Sequence, residues 1–350
     1  MAAIDLDTVA GLLDGHIDIR RRPDSIQPIR FPAAEIGFYD AFTRWVASCP
    51  AGVRLRLRSD TTSLTFTASQ RATGGDRDIT YDLYVDGALF ARKSAVGGSV
   101  LKEGGGFTGN DAASVTFTGL PAGPKTLELW LPQSATVAIT GLTLDDGASL
   151  EAAPDARKTI VFHGSSITHA MEGEGAPGAW PAVAAALADL RLVNLGWAGS
   201  CILSGLAARI IRDQKADAIV LKLGINVHGD GVLKDRTFAD SAHSMISIIR
   251  EKHPTTPLVI ISPIWSPPRD DEGSNGGPSL ARMREILTEV VAARVKAGDT
   301  HIRYLSGLEL FGPDDLADLP DLLHPNAAGQ RRMGERFHAK VLAGPEPLLG

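Results

Sequence analysis

The chain has 350 residues, so two domains are expected, and its 44% hydrophobic and 22% charged residues are typical of a globular protein. A net charge of -6 without a basic stripe argues against nucleic acid as the main partner, because phosphate binding needs clustered lysine and arginine. The 2 cysteines lack metal-ligand spacing and predict neither a disulfide framework nor a metal site. The sequence also lacks a signal-peptide pattern and a membrane-span pattern, so we expect a cytoplasmic protein without membrane association.

The first half of the chain alternates apolar and polar residues between about residues 50 and 145. The alternating runs are VRLRLRS (53–59), SLTFTAS (63–69), ITYDLYVDGALFA (79–91), SVTFTGL (114–120), KTLELWLP (125–132) and TVAITGLTL (136–144). Asp86-Gly87 lies between two apolar runs and predicts a hairpin. Short strands at this spacing predict an antiparallel β-sandwich, and GSVLKEGGG (98–106) is typical of a flexible loop.

The pattern changes after DDGASLEAAPDARK (145–158), a polar stretch that we interpret as a linker. Five short apolar runs then alternate with helical patterns: TIVFHG (159–164), RLVNLG (191–196), AIVLKLG (218–224), PLVIISP (257–263) and IRYLSG (302–307). This alternation predicts a three-layer α/β domain with a doubly wound, flavodoxin-like parallel sheet. We place the β-sandwich domain, of jelly-roll type, at residues 1–153 and the α/β domain at residues 154–350.

The unusual residues of the second half follow the ends of its predicted strands. They lie in four stretches: GSSIT (164–168), NLGWAGS (194–200), GINVH (224–228) and DLLHPN (321–326). Parallel α/β sheets bind ligands at the carboxyl ends of their strands. We therefore expect these four stretches to form one site.

The residue types in these stretches suit nucleophilic catalysis. Asp321 and His324 are three residues apart, which lets the carboxylate orient the imidazole as a general base. A serine hydroxyl becomes a nucleophile when such a base accepts its proton, and Asn226 could donate to a developing oxyanion. Each piece also has a structural interpretation, since Ser165 and Ser166 could cap a helix and Asn226 could belong to a turn.

Together the four stretches resemble the sequence blocks of the SGNH (GDSL-type) hydrolase superfamily, over residues 157–342. The resemblance implies Ser166 as the nucleophile, His324 as the base and Asp321 as the residue that orients it. The sandwich in front resembles the N-terminal domains of some two-domain bacterial members.

The resemblance also implies an oxyanion hole made by the backbone N–H of Ser166, the N–H of Gly199 and the side chain of Asn226. Gly196 is the alternative to Gly199. Two positions depart from the family pattern, because Ser165 and Val227 stand where the family has aspartates. Neither aspartate is part of the family's triad.

The implied function is serine-dependent ester hydrolysis on a small acylated compound, with an acylated sugar or a glycosylated metabolite as candidates. An acyltransferase of a natural-product pathway would use the same triad. A non-catalytic acyl-ligand-binding protein is the alternative from another class. The mechanism needs no metal or organic cofactor, and the sequence leaves the acyl group, the alcohol and the oligomeric state open.

Several further residues near the strand ends are candidates for contacting the substrate. They are His169, Trp197, Val227, His228 and Trp265. Trp265 begins the loop WSPPRDDEGSNGG (265–277), which is long for a connection between a strand and a helix. Such a loop is either a lid or specificity element, or a solvated excursion.

Overall fold

A computed structural model gives the structure of the protein. It describes residues 2–72, 79–102 and 105–349. The chain divides into two compact units. The first consists of Met1–Ala156 and Glu174–Pro177, and the second of Arg157–Gly173 and Gly178–Gly350.

The described part of the first unit consists mainly of short strands. The strands are β1 (Ala2–Ile4), β2 (Leu13–Asp14), β3 (Asp18–Arg22), β4 (Ser25–Ile29), β5 (Arg54–Ser59), β6 (Ser63–Ala72), β7 (Thr80–Val85), β8 (Ala88–Ser94), β9 (Val96–Leu101), β10 (Phe107–Thr118), β11 (Lys125–Trp130), β12 (Ala135–Leu144) and β13 (Glu151–Ala152). The helices are α1 (Leu6–Gly11), a 3₁₀ helix (Ala33–Phe38) and α2 (Ala41–Ser48).

These strands form two sheets around one core. One sheet has the order β10-β9-β6-β12-β4-β3 with β1 paired to β12, and the other has the order β13-β5-β11-β7-β8 with β2 paired to β5. Apolar side chains from both sheets, such as Leu64, Leu57 and Leu129, belong to a single buried cluster. Phe66 of one sheet packs on Tyr81 of the other, with ring centroids 5.3 Å apart. The predicted sandwich is therefore present.

The hairpin between β7 and β8 turns at Asp86 and Gly87, which have φ angles of 48° and 84°. Two positive φ angles in succession match the right-handed twist of the flanking strands, which is why this residue pair favours a hairpin.

Two local expectations for the first unit are wrong, namely the loop at residues 98–106 and the linker at residues 145–158. Residues 98–106 are not simply a loop, because strand β9 covers their beginning; residues 103 and 104 lie outside the described residues. β9 also pairs in parallel with β6 over two residue pairs, so the sheet is not purely antiparallel. The stretch 145–158 is not a free linker, because β13 pairs with β5 and Asp155 forms an ion pair with Arg54 at 3.2 Å.

The second unit alternates strands and helices. Its strands are β14 (Thr159–Gly164), β15 (Arg191–Gly196), β16 (Ala218–Lys222), β17 (Leu258–Ile261) and β18 (Ile302–Leu305). Its α-helices are α3 (Ser166–His169), α4 (Trp180–Leu187), α5 (Gly205–Arg212), α6 (Ile225–Asp230), α7 (Asp235–Arg250), α8 (Leu280–Lys296) and α9 (Ala327–Phe337). Shorter 3₁₀ and π turns cover Gly307–Glu309, Pro313–Asp318 and His338–Leu342, whereas the 3₁₀ turn Ala176–Gly178 belongs mostly to the first unit.

The five strands form a parallel sheet in the order β15-β14-β16-β17-β18. This is the flavodoxin-like order, whose switch point lies between the first and third strands in sequence, here β14 and β16. Phe162 of β14 packs edge-on against Trp180 of α4 and Phe337 of α9, whereas His163 faces Trp197. Successive side chains of a strand point to opposite faces, so the sheet is covered on both sides.

Within residues 2–72, 79–102 and 105–349, the helices are all too short or too polar to cross a bilayer. The same residues contain no group of three or more His, Cys, Asp or Glu side chains that could hold a metal ion.

Candidate active site

The first strand end of the parallel sheet carries the paired serines. β14 ends at Gly164, Ser165 is the N-cap of α3, and its Oγ accepts a hydrogen bond from the N–H of Ile167 at 3.3 Å. A Cβ at position 164 would lie 2.3 Å from Oγ1 of Thr168, so only glycine fits this close turn. Ser165 is 1% exposed and caps the helix, whereas Ser166 is partly exposed.

The hydroxyl of Ser166 is hydrogen-bonded to a histidine from a distant part of the chain. Its Oγ lies 2.8 Å from Nε2 of His324, and Nδ1 of His324 lies 2.6 Å from Oδ2 of Asp321. The carboxylate can only accept, so Nδ1 carries the proton and Nε2 is left to accept the hydrogen of the serine. The three side chains form the hydrogen-bonded chain that a Ser-His-Asp triad requires.

The loop between Asp321 and His324 is folded around the carboxylate. Oδ1 of Asp321 accepts hydrogen bonds from the N–H groups of Leu323 at 3.0 Å and of His324 at 2.6 Å. Burial raises the pKa of this carboxyl group, but the hydrogen bonds from the backbone and side chain of His324 outweigh burial and bring the pKa below 3.8. Asp321 is therefore ionised at neutral pH.

Asn226 follows β16 in the second residue of α6. Its Oδ1 accepts a hydrogen bond from the N–H of Cys201 at 3.1 Å, which fixes the amide orientation because only the oxygen can accept. The amino group, Nδ2, then points away from Cys201. The turn before α6 requires Gly224, which has a φ of 122° and whose Cβ would lie 2.7 Å from the ring of Pro263.

Gly199 lies in the loop after β15, with a φ of 69°. This loop contacts the turn that carries Ser165 and Ser166, because the N–H of Trp197 donates to the carbonyl of Gly164 at 2.7 Å. The alternative residue, Gly196, donates its N–H to Oδ1 of Asn194 at 2.8 Å. That N–H is already used within the protein, which leaves Gly199 as the better oxyanion donor of the two.

Most of the expected substrate-contacting residues are buried. His169 and Val227 have no exposed surface and Trp197 is 2% exposed, so their contact with a substrate stays a prediction. His228 is also buried, and its Nε2 lies 2.7 Å from a main-chain carbonyl oxygen. Only Trp265 keeps an intermediate exposure. Apolar and aromatic residues next to the strand ends pack the helices against the sheet here instead of facing solvent.

The sequence did not reveal the role of Ser266 and Arg269 in the long loop. Oγ of Ser266 donates to the carbonyl of Leu322 at 2.5 Å, and Nη1 of Arg269 donates to the same oxygen at 3.0 Å. Leu322 lies between Asp321 and His324 with a φ of 60°, which is a strained conformation for a leucine. The loop therefore holds the turn between Asp321 and His324 in place.

Several buried titratable groups lie near the turn that carries Ser165 and Ser166. Nδ1 of His163 lies 2.7 Å from the carbonyl oxygen of Leu195, so this buried histidine has a backbone partner. Burial raises the pKa of the Cys201 thiol to about 12. Burial lowers the pKa of the Lys222 ammonium to about 8, although Cys201 acts in the opposite direction.

A Ser-His-Asp chain at the carboxyl edge of a parallel α/β sheet is the arrangement of serine-dependent acyl-transfer enzymes. The model of the GDSL-like lipase/acylhydrolase family matches residues 162–332, which include Ser166, Asp321 and His324. The protein belongs to this family of GDSL-like lipases and acylhydrolases.

Two solved structures align with nearly the whole chain. A salicylyl-acyltransferase, SsfX3, from a tetracycline biosynthetic pathway is 30% identical, with a TM-score of 0.82 over 93% of this chain and 92% of that chain. A family two carbohydrate esterase from Clostridium thermocellum, in complex with cellohexaose, is 18% identical, with a TM-score of 0.64 over 94% of this chain and 97% of that chain. This second likeness shows the fold alone.

A curated relative matches a shorter part of the chain. It is a multidomain esterase from Ruminococcus flavefaciens, 24% identical over 152 residues. The match covers 42% of this chain and 18% of that esterase, so the chain spans less than a fifth of this relative.

Proposed function

We propose that the protein is a serine-dependent carboxylic-ester hydrolase in which Ser166 is the nucleophile, His324 the general base and acid, and Asp321 the residue that orients the imidazole. The observation that carries this proposal is the continuous chain from Ser166 Oγ through His324 to Asp321, with distances of 2.8 and 2.6 Å.

In the first step, Oγ of Ser166 attacks the ester carbonyl carbon while Nε2 of His324 takes the hydroxyl proton. The imidazolium is stabilised by the ionised carboxylate of Asp321. The tetrahedral intermediate collapses when the bond to the alcohol oxygen breaks, and His324 returns its proton to that oxygen. The alcohol leaves, and the acyl group stays as an ester of Ser166.

In the second step, His324 removes a proton from water, which attacks the acyl-enzyme. The bond to Ser166 Oγ breaks, His324 gives the proton back to the serine, and the carboxylic acid is released. In both steps the negative oxygen is bound by the N–H groups of Ser166 and Gly199 and by Nδ2 of Asn226. One such donor contributes roughly 3 kcal/mol to transition-state stabilisation.

A second candidate function is acyl transfer to an alcohol instead of water. The observation that favours it is the similarity to a salicylyl-acyltransferase along 93% of the chain. The similarity to a carbohydrate esterase fold makes acylated sugars and glycosylated metabolites the first substrates to examine for hydrolysis. The same residues perform both reactions, because only the second nucleophile differs.

The test uses short p-nitrophenyl esters and a fluorophosphonate that labels active serines. Ser166→Ala should abolish turnover and labelling. Ser165→Ala is the matched control, which removes a helix cap worth about 1 kcal/mol but leaves the nucleophile in place. Loss of both signals in Ser165→Ala alone would show that the nucleophile is misassigned.

The wild-type protein separates the remaining alternatives. Absence of both turnover and labelling would contradict the enzyme proposal and favour a non-catalytic acyl-ligand-binding protein. Addition of candidate alcohols should leave the free acid as the main product if water is the acceptor. A transesterified product that replaces the acid would instead identify an acyltransferase.

A further inference from the structure

The outer face of the first unit's larger sheet carries a groove of about 450 Å³ that the ester chemistry does not use. Its walls come from strands β3, β4, β6 and β12 and from helix α2. All of these elements belong to the first unit, so the groove is complete within it.

Three arginines face this groove: Arg20 and Arg22 from β3, and Arg44 from α2. The pKa of Arg20 is lowered, first by burial and then by the positive charges of Arg22 and Arg44, so both of these arginines lie close enough to repel Arg20. Arg20 donates a hydrogen bond to Oε1 of Gln27 at 3.5 Å. Within the part of the chain that the structure describes, these three arginines have no carboxylate partner.

Neighbouring arginines are paired differently. Arg21, between Arg20 and Arg22 in sequence, forms an ion pair with Asp7 at 2.5 Å. Arg71, which also lines the groove, forms an ion pair with Asp111 at 2.8 Å. Among the arginines that line the groove, Arg20, Arg22 and Arg44 are therefore the ones without a carboxylate partner in the described residues.

Nearby carboxylates are committed to the backbone. Asp18 accepts hydrogen bonds from the N–H groups of Ile19 and Ala33, at 2.7 and 2.8 Å. Asp40 caps α2 and accepts hydrogen bonds from the backbone and hydroxyl of Thr43. Neither is bonded to an arginine of the groove.

The rest of the lining provides neutral donors and an aromatic side chain. Gln27 and Ser48 are buried polar residues of the groove. Trp45 also lines it and stacks on Phe107, with ring centroids 5.4 Å apart. Convergent guanidinium groups with neutral hydrogen-bonding side chains beside them match the oxygens of a carboxylate or phosphate group.

We propose that this groove is a binding site for a small anionic ligand, whose carboxylate or phosphate oxygens are bound by Arg20, Arg22 and Arg44. A bound anion would offset the repulsion that Arg22 and Arg44 exert on Arg20. The proposal concerns the first unit alone and holds whether or not Ser166 is the nucleophile.

The test measures binding of pyrophosphate and of citrate to the full chain by titration calorimetry at constant ionic strength. One probe represents the phosphates and the other the carboxylates. The variant Arg44→Gln changes an exposed helix residue and should keep the fold. Arg21→Gln is the matched control, because Arg21 belongs to the same strand but is paired with Asp7.

The expected result is saturable binding of at least one probe, weakened about tenfold or more by Arg44→Gln and by Arg20→Gln, and unchanged by Arg21→Gln. Each tenfold loss corresponds to about 1.4 kcal/mol. The preferred probe identifies the ligand as a phosphate or a carboxylate. The absence of saturable binding of both probes at millimolar concentration would overturn the proposal, and so would an equal loss of affinity in Arg21→Gln.

Discussion

Oγ of Ser266 donates a hydrogen bond to the carbonyl of Leu322 at 2.5 Å, and this contact joins the long loop after β17 to the turn that carries Asp321 and His324. Leu322 has a left-handed backbone conformation, which costs free energy unless its surroundings hold it. Ser266 and Arg269 therefore position the turn that carries His324, although neither belongs to the hydrogen-bonded chain of Ser166, His324 and Asp321.

Ser266→Ala should lower kcat about fivefold and leave KM almost unchanged, because it removes a hydrogen bond worth about 1 kcal/mol that holds the turn, but no contact proposed for the substrate. Ser266→Thr, which keeps the hydroxyl, should restore most of the activity. Ser274→Ala in the same loop is the control. A rise in KM without a change in kcat would contradict a positioning role.

Asp321→Asn should lower kcat by about 10⁴-fold. One oxygen of Asp321 accepts two backbone N–H groups and the other accepts Nδ1 of His324, so an amide must turn its NH₂ group towards one of these donors. Steady-state kinetics on a p-nitrophenyl ester measures the effect. Asp314→Asn, an exposed carboxylate in a neighbouring turn, should behave as wild type; activity close to wild type in Asp321→Asn would show that the carboxylate does not orient the base.

Asn226→Asp separates catalysis from structure. The aspartate keeps an oxygen acceptor for the N–H of Cys201 but replaces the proposed oxyanion donor, Nδ2, by a second acceptor. We expect kcat to fall by about 10²–10³-fold while the melting temperature changes little. Asn226→Ala should lower both quantities, because it also leaves the N–H of Cys201 without its partner. Unchanged kcat in Asn226→Asp would remove this residue from the oxyanion hole.

Lys222→Met should stabilise the protein at pH 7. Burial lowers the pKa of Lys222 from 10.5 to about 8, so the unfolded chain binds the proton more tightly than the folded one. The resulting destabilisation, roughly 3 kcal/mol, is complete below pH 8 and disappears as the pH rises to 10.5. Denaturant unfolding across this range should show a stability gain that shrinks with increasing pH. Lys252→Met is the control, because the Lys252 side chain is 60% exposed; an equal gain in both variants would contradict a burial effect.

Much of the fold could be predicted because the pattern of apolar residues within a short stretch of sequence indicates its secondary structure. β14 and β15 have the bounds that their apolar runs predicted, since strands buried on both faces are continuous apolar runs. The early strands β1 to β4 were not predicted, because their polar residues hide the alternation. β9 was missed because its glycines indicate a loop, whereas Gly97 permits a close approach: its Cβ would lie 2.2 Å from the carbonyl of Ala112.

The residues of the candidate site could likewise be predicted only where the signal in the sequence is local. Ser166, Asp321 and His324 were found because their residue types and local spacing carry the chemistry. Burial depends on which helix packs over which strand end, so the sequence could not show that His169 and Trp197 lie inside the protein. The contact of Ser266 with Leu322 joins residues 56 positions apart and has no local signal.

Ser165 stands where the family has an aspartate, and its role as the N-cap of α3 explains why a serine can take that position. Serine and aspartate both start helices by accepting a backbone N–H through a side-chain oxygen, so they are interchangeable for this task. At 1% exposure, an aspartate would also bring a desolvated negative charge next to the nucleophile, whereas serine starts the same helix as a neutral group. Position 165 therefore needs an acceptor atom for the N–H of Ile167, and in this chain a neutral hydroxyl supplies it.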